Sequence, residues 1–136
     1  MDYQKIVAFR NLRSPFVQRM GIEVEDIQEG YARAVKTIRE EDTNPLGVAH
    51  GAVLFAVADT ACGSAAASYG RKSVTLNAAY QFLRSGAVGD RITAEAREVK
   101  HGSTISVYDA VVKDQEGRLV GSATMTFYTL DQPLDL

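Results

Sequence analysis

The residue types able to carry chemistry gather between positions 44 and 59. Asp59 interrupts the run Ala52-Val53-Leu54-Phe55-Ala56-Val57-Ala58, and Ala61, Ala65, Ala66 and Ala67 continue the run beyond it. A carboxylate in such apolar surroundings must be paired, hydrogen-bonded or protonated, because an isolated buried charge is costly. It then either holds a structural partner, such as a backbone group or an arginine at a subunit contact, or serves a site, since perturbed carboxylates collect at functional centres. His50 and Gly51 stand where this run begins. The first amides of a helix have no intrahelical acceptor and favour negative charge, so a developing oxyanion would be stabilised there. Glycine lets a ligand approach its amide closely. The plainer alternative is a loop-to-helix junction with a surface histidine.

Spacing restricts how these parts combine. His50 and Asp59 are separated by roughly 13 Å along a helix axis, too far to act on one atom within one chain. If both act, a second protomer brings its Asp59 to the first protomer's His50–Gly51, and a two-fold dimer makes two such sites.

The elements that must position them follow from periodicity. Residues 3–10 predict a short helix, and Ser14-Pro15 reads as an N-cap with proline at the first helical position of a second helix ending at Gly21. Alternation through Ile22, Val24 and Ile27, a turn at Gln28-Glu29-Gly30, and alternation from Tyr31 to Ile38 predict a hairpin. Residues 40–47 are a polar loop with Pro45 and Gly47. The alanine-rich run is the length of a substantial helix, and being apolar on nearly every face it must be surrounded by protein. Strands are expected near 73–83, 90–100, 103–113 and 118–130, with turns between them at 86–90, 101–102 and 114–117. A hairpin, one buried helix and four long strands make an α+β arrangement in which a curved antiparallel sheet wraps the helix.

Composition agrees with one domain spanning 1–136: the chain is 46% hydrophobic and 24% charged, with a formal net charge of -2. There is no basic excess to attract nucleic acid, and charges of both signs are interleaved. The N-terminus lacks a signal-peptide pattern, and the longest apolar stretch is too short to span a bilayer, so no membrane role is expected. The single cysteine, Cys62, allows no intrachain disulfide and fits a cytoplasmic location. It reads as a small buried hydrophobe.

The segment from Asn44-Pro45-Leu46-Gly47 through His50-Gly51-Ala52 to Ala58-Asp59-Thr60 resembles the hotdog-fold acyl-CoA thioesterases of the phenylacetate-degradation type, which show Asn-Pro-x-Gly-x-x-His-Gly-Gly followed by a helical aspartate. The resemblance implies a hotdog fold, a homodimer required for the active site, commonly assembled into a homotetramer, and hydrolysis of an acyl-CoA without metal or organic cofactor. It implies that Asp59 is the nucleophile or the general base, that the Gly51 amide holds the thioester oxygen, and that His50 and Asn44 orient thioester or water from the opposite protomer. Thr75 falls where relatives carry a hydroxyl that helps place the water. Ala52 departs from the pattern by replacing a second glycine, which narrows the space beside the acyl group.

Coenzyme A phosphates need cations or open amides. Arg84-Ser85-Gly86 and Lys100-His101-Gly102-Ser103 are the substrate-binding candidates, with Arg71 and Lys72 behind them; each is equally readable as a solvated turn charge. Phe16, Met20, Leu54 and Phe55 are candidates for the acyl pocket or for plain core. Two other functions fit such a fold: an acyl-thioester hydratase or dehydratase, whose motif is absent, and a non-catalytic acyl-CoA binding module.

Overall fold

The computed structural model describes all 136 residues. Helix α1 spans Tyr3–Leu12, starting where the Asp2 side chain accepts hydrogen bonds from the amides of Gln4 and Lys5. Helix α2 spans Pro15–Met20; Ser14 caps it through the Val17 amide, and Gly21 ends it at φ +66°. The expected hairpin follows as β1 (Glu23–Gln28) and β2 (Tyr31–Thr37). A single 3-10 turn, Glu40–Asp42, opens the polar loop. Helix α3 covers Gly51–Ala67, and β3 (Arg71–Phe82), β4 (Arg91–His101), β5 (Ile105–Lys113) and β6 (Leu119–Pro133) complete the chain. Each expected strand is present with its ends within three residues of those expected. β3 starts early because Gly70, at φ +76°, turns the chain straight out of α3.

The six strands form one antiparallel sheet in the order β1-β2-β4-β5-β6-β3. Side chains alternate across it, so one face is apolar. That face is built largely from alanine: Ala32 pairs with Ala96, Ala34 with Ala94, Ala96 with Ala110 and Ala110 with Ala123. Small residues on the sheet and on α3 let helix and strands approach closely, and all of these alanines are buried. Tyr108, Met125 and Phe127 fill the wider part of the concave face. The result is the long helix wrapped by a curved sheet that the alanine-rich run and the strand count predict.

The two edges of the sheet differ. At β1, the Asn11 side chain acts as a short extra strand: its amide donates to the Val24 carbonyl at 2.9 Å and its oxygen accepts from the Val24 amide at 2.8 Å. At β3 no element covers the outer side, and Val74, Leu76, Phe82 and Leu83 are exposed there. No helix is long and apolar enough to cross a membrane.

Candidate active site

The loop before α3 is held by a buried ion cluster. Lys36 continues the inward face of β2 after Ala32 and Ala34 and is almost completely buried. Its ammonium lies 2.9 Å from Asp42 and also donates to the Met20 carbonyl. Arg39 grips the same carboxylate with its backbone amide at 2.7 Å and its guanidinium at 3.2 Å. Burial alone would raise the Asp42 carboxyl, but the hydrogen bonds from Arg39 and Lys36 and the Lys36 charge outweigh it and hold the group down at about 2. The carbonyl of Asp42 accepts the His50 amide at 2.8 Å. From the other side, the Ala49 amide donates to the Gly86 carbonyl at 2.8 Å. His50 is thus pinned on both flanks.

His50 is itself the N-cap of α3. Its Nδ1 accepts the Ala52 amide at 2.9 Å. In the neutral imidazole this assigns the proton to Nε2, which then faces outward as a donor. The Gly51 amide finds no acceptor in the chain. Phe82 from the end of β3 lies against Gly51, where a β-carbon would come within 3.0 Å of its ring. The head of α3 therefore presents two free donors, an amide and an imidazole N–H, beside an aromatic wall of Phe82, Tyr80 and Phe55.

Asn44 shapes the loop. Its side-chain oxygen accepts from the amides of Leu46 and Val48 at 2.9 and 3.4 Å, and its own amide donates to the Val48 carbonyl at 2.8 Å. Only its side-chain NH2 is left without a partner in the chain.

Further along α3, the apolar pattern hid an opening. Ala52, Phe55 and Asp59 form a stripe at helical spacing that the sheet does not cover, and all three are at least partly exposed. Asp59 is therefore not sealed inside one chain as the all-apolar reading suggests. The Thr75 hydroxyl donates to its Oδ1 at 2.9 Å, so the structure brings these two sequence candidates together. His50 and Gly51 remain about two helical turns away from Asp59 in the same chain, as the spacing requires.

The other candidates divide by place. Arg84 is exposed and without an ion-pair partner near the head of α3, whereas Gly86 is buried against Ala49 and seats the loop. Lys100, His101, Gly102 and Ser103 lie at the opposite end of the helix, where His101 stacks on Tyr69 at 3.6 Å. Within one chain these two groups do not meet. Arg71 and Lys72 are engaged by Asp131 and Asp135. Leu54 is core, Phe16 is exposed, and Met20 packs against the core from α2. Cys62 is fully buried, its thiol pushed up to about 12 by burial, with Asp59 and Asp109 adding to the effect. No three His, Cys, Asp or Glu side chains converge closely enough to hold a metal ion.

Sequence reasoning missed three contributors: the Lys36–Asp42–Arg39 cluster, Phe82, and Arg10, whose guanidinium reaches α3 at Ser64. Only Lys36 had a readable signal, since it shares the inward parity of Ala32 and Ala34.

Residues 46–121 match the thioesterase superfamily. The acyl-coenzyme A thioesterase PaaI of Escherichia coli is 34% identical over 101 residues, covering 74% of this chain and 72% of that protein. The solved structure of E. coli PaaI, from the phenylacetic acid degradation operon, superposes with a TM-score of 0.93 at 26% identity, covering 96% of this chain and 95% of that one. A Streptococcus mutans protein bound to acetyl CoA superposes at 0.79 with 27% identity, covering 83% and 91% of the two chains.

Proposed function

The chain belongs to the thioesterase superfamily and is a thioester hydrolase; from that premise we propose that it hydrolyses an aromatic or medium-chain acyl-CoA to the free acid and coenzyme A, at sites shared by two protomers. The observation that carries this reading is the division of labour along α3. Two free donors stand at its head, a carboxylate stands on its open stripe, and the uncovered β3 edge offers the surface on which a second copy could pair. PaaI acts on acyl-coenzyme A by its name, and the S. mutans relative holds acetyl CoA.

In this reading the Gly51 amide of one protomer donates to the thioester oxygen as it gains charge, and the His50 Nε2–H orients the carbonyl or the attacking water. Asp59 of the partner subunit does one of two things. It takes a proton from a water that attacks the carbonyl carbon, or it attacks that carbon itself and forms a mixed anhydride that water then opens. Either way the C–S bond breaks, the sulfur leaves as a thiolate and takes up a proton, and one water is consumed for one acid and one thiol. Thr75 holds the carboxylate through Oδ1 and leaves its other oxygen to act. Asn44 contributes through the loop it shapes and through its free NH2. Arg84 beside the head of α3 faces the coenzyme phosphates, with Gly86 setting its loop. Lys100, His101, Gly102 and Ser103 of the partner subunit would approach from the other side. A homotetramer built from two such dimers extends this reading.

The test is free-thiol release from a panel of aromatic and aliphatic acyl-CoAs by wild type and Asp59→Ala. Turnover in wild type that falls at least about 100-fold in a folded variant supports the reading. No thiol from any member sinks it.

A further inference from the structure

We infer that Arg10 receives a carboxylate carried at the far end of the acyl group, so that the thioesters this chain hydrolyses best are those of short dicarboxylic acids. The inference rests on the thioesterase reading above, keeps its site and chemistry, and puts a short dicarboxylic acyl group in place of the aromatic or medium-chain one.

Arg10 lies in the last turn of α1 and reaches across to α3. Its Nε donates to Ser64 Oγ at 3.0 Å, and Ser64 is completely buried. That is its only side-chain hydrogen bond, and no carboxylate of the chain lies within ion-pair distance. A guanidinium drawn into the protein without a carboxylate in contact is unusual, because arginine is seldom buried unless paired. Burial lowers its pKa while the charge of Asp59 opposes that shift. The other partly buried arginines are paired: Arg33 with Glu25, and Arg39 with Asp42.

Its location identifies the missing partner. The guanidinium lies on Gly63, where a β-carbon would come within 2.8 Å of Nη2, so the helix carries its smallest residue at the point of contact. Gly63 is one turn beyond Asp59 and continues the stripe of Ala52, Phe55 and Asp59. The same Gly63 position is 3.7 Å from the Phe127 ring, and Phe127 pairs with Thr75, the donor to Asp59. Arg10 therefore stands one helical turn beyond the reacting carboxylate, at the end of the open stripe. With Nε committed to Ser64, the four N–H groups on Nη1 and Nη2 form the fork that grips a carboxylate with two parallel hydrogen bonds. A neutral hydroxyl would satisfy one donor and leave the charge uncompensated. The distance from Asp59 to Gly63 along the helix is about 6 Å, which a chain of about four or five carbons spans.

The experiment compares glutaryl-CoA with valeryl-CoA, equal in carbon number and differing in the terminal carboxylate. Thiol release is followed with wild type, Arg10→Gln and Arg10→Lys. Wild type is expected to favour glutaryl-CoA in kcat/KM by at least about tenfold, as a charge-assisted pair warrants. Arg10→Gln should remove the preference, lowering the glutaryl-to-valeryl ratio of kcat/KM at least about tenfold whatever it does to both rates, and Arg10→Lys should recover part of the ratio. Equal use of both thioesters by wild type, or an equal loss of both in Arg10→Gln, overturns the inference while thiol release from valeryl-CoA leaves the thioesterase reading standing. If neither thioester is cleaved, the two are titrated calorimetrically into wild type and Arg10→Gln. A preference for glutaryl-CoA that disappears in the variant then supports the inference, and equal affinities overturn it.

Discussion

The head of α3 and its middle are built to opposite standards. At the head, Asp42, Gly86 and the His50 side chain fix the loop from three directions, and a buried lysine and an arginine fix Asp42 in turn. About two turns on, Asp59 has one hydrogen bond, from Thr75, and stands on a stripe the fold leaves open. One region is complete within a single chain and the other is not. The donors that must meet a developing charge gain from being fixed beforehand. In the proposed dimer the carboxylate gains the rest of its surroundings from the second protomer. The sheet repeats the contrast, with the β1 edge sealed by Asn11 and the β3 edge unsealed.

The largest effect expected from this contrast comes from mixing crippled chains. Asp59→Ala and His50→Ala are each expected to lose most thiol-release activity, about 1,000-fold for the carboxylate. Joined in one dimer, they leave one site with both groups intact. After subunit exchange, about half the dimers are mixed and each carries one working site of two, so activity should return to about a quarter of wild type. If mixing restores nothing while exchange is verified by mass, His50 and Asp59 do not serve one site from two chains.

Charging the open edge comes next. Val74 and Leu76 are about half exposed, at 51% and 56%. Val74→Lys with Leu76→Lys should convert the protein to monomers in sedimentation and reduce turnover at least about 100-fold, since like charges meet across a two-fold edge. A charged edge that still sediments as the wild type would place the interface elsewhere.

The closed region should break through stability. Asp42→Ala leaves the Lys36 ammonium buried without its anion, and such a loss costs about 3–5 kcal/mol in denaturant unfolding. The acid limb gives a second reading. Because the folded Asp42 carboxyl is held below its ordinary value of 3.8, at about 2, it binds its proton more weakly than in the unfolded chain. Its contribution is therefore complete above about pH 4 and is lost as pH falls toward about 2. Asp42→Asn should flatten the stability profile in that window, and an unchanged slope would detach Asp42 from the loop's support.

What was legible in the chain follows the same divide. The alanine-rich run, the strands and the segment from Asn44 to Asp59 are local patterns, and the structure reproduces them within a few residues. Resemblance marks Thr75 as a hydroxyl that helps place the water; the structure adds that it donates to Asp59 at 2.9 Å. Lys36 was legible in parity and masked in type, because a lysine on an inward face makes sense only once Asp42 is folded against it. The openness of Asp59 was hidden because an alanine helix reads the same on every face, so periodicity could not say which side the sheet would leave bare. Arg10 had no local signature. Its partner Ser64 is 54 residues away, and only the docking of α1 onto α3 joins them.

The smallest effect should come from Thr75, the one side chain that steadies the open region from within. Its hydroxyl bonds a charged acceptor at 2.9 Å, stronger than a neutral pair, but at an exposed site where water can replace it. Thr75→Ala should therefore lower kcat about tenfold with little change in KM or melting temperature, and Thr75→Ser should restore most of the rate. The split is diagnostic. A loss confined to kcat and rescued by serine says the hydroxyl aims the Asp59 carboxylate. An unchanged kcat would mean that the second protomer aims it without help, and that the middle of α3 is even less complete in one chain than its single hydrogen bond suggests.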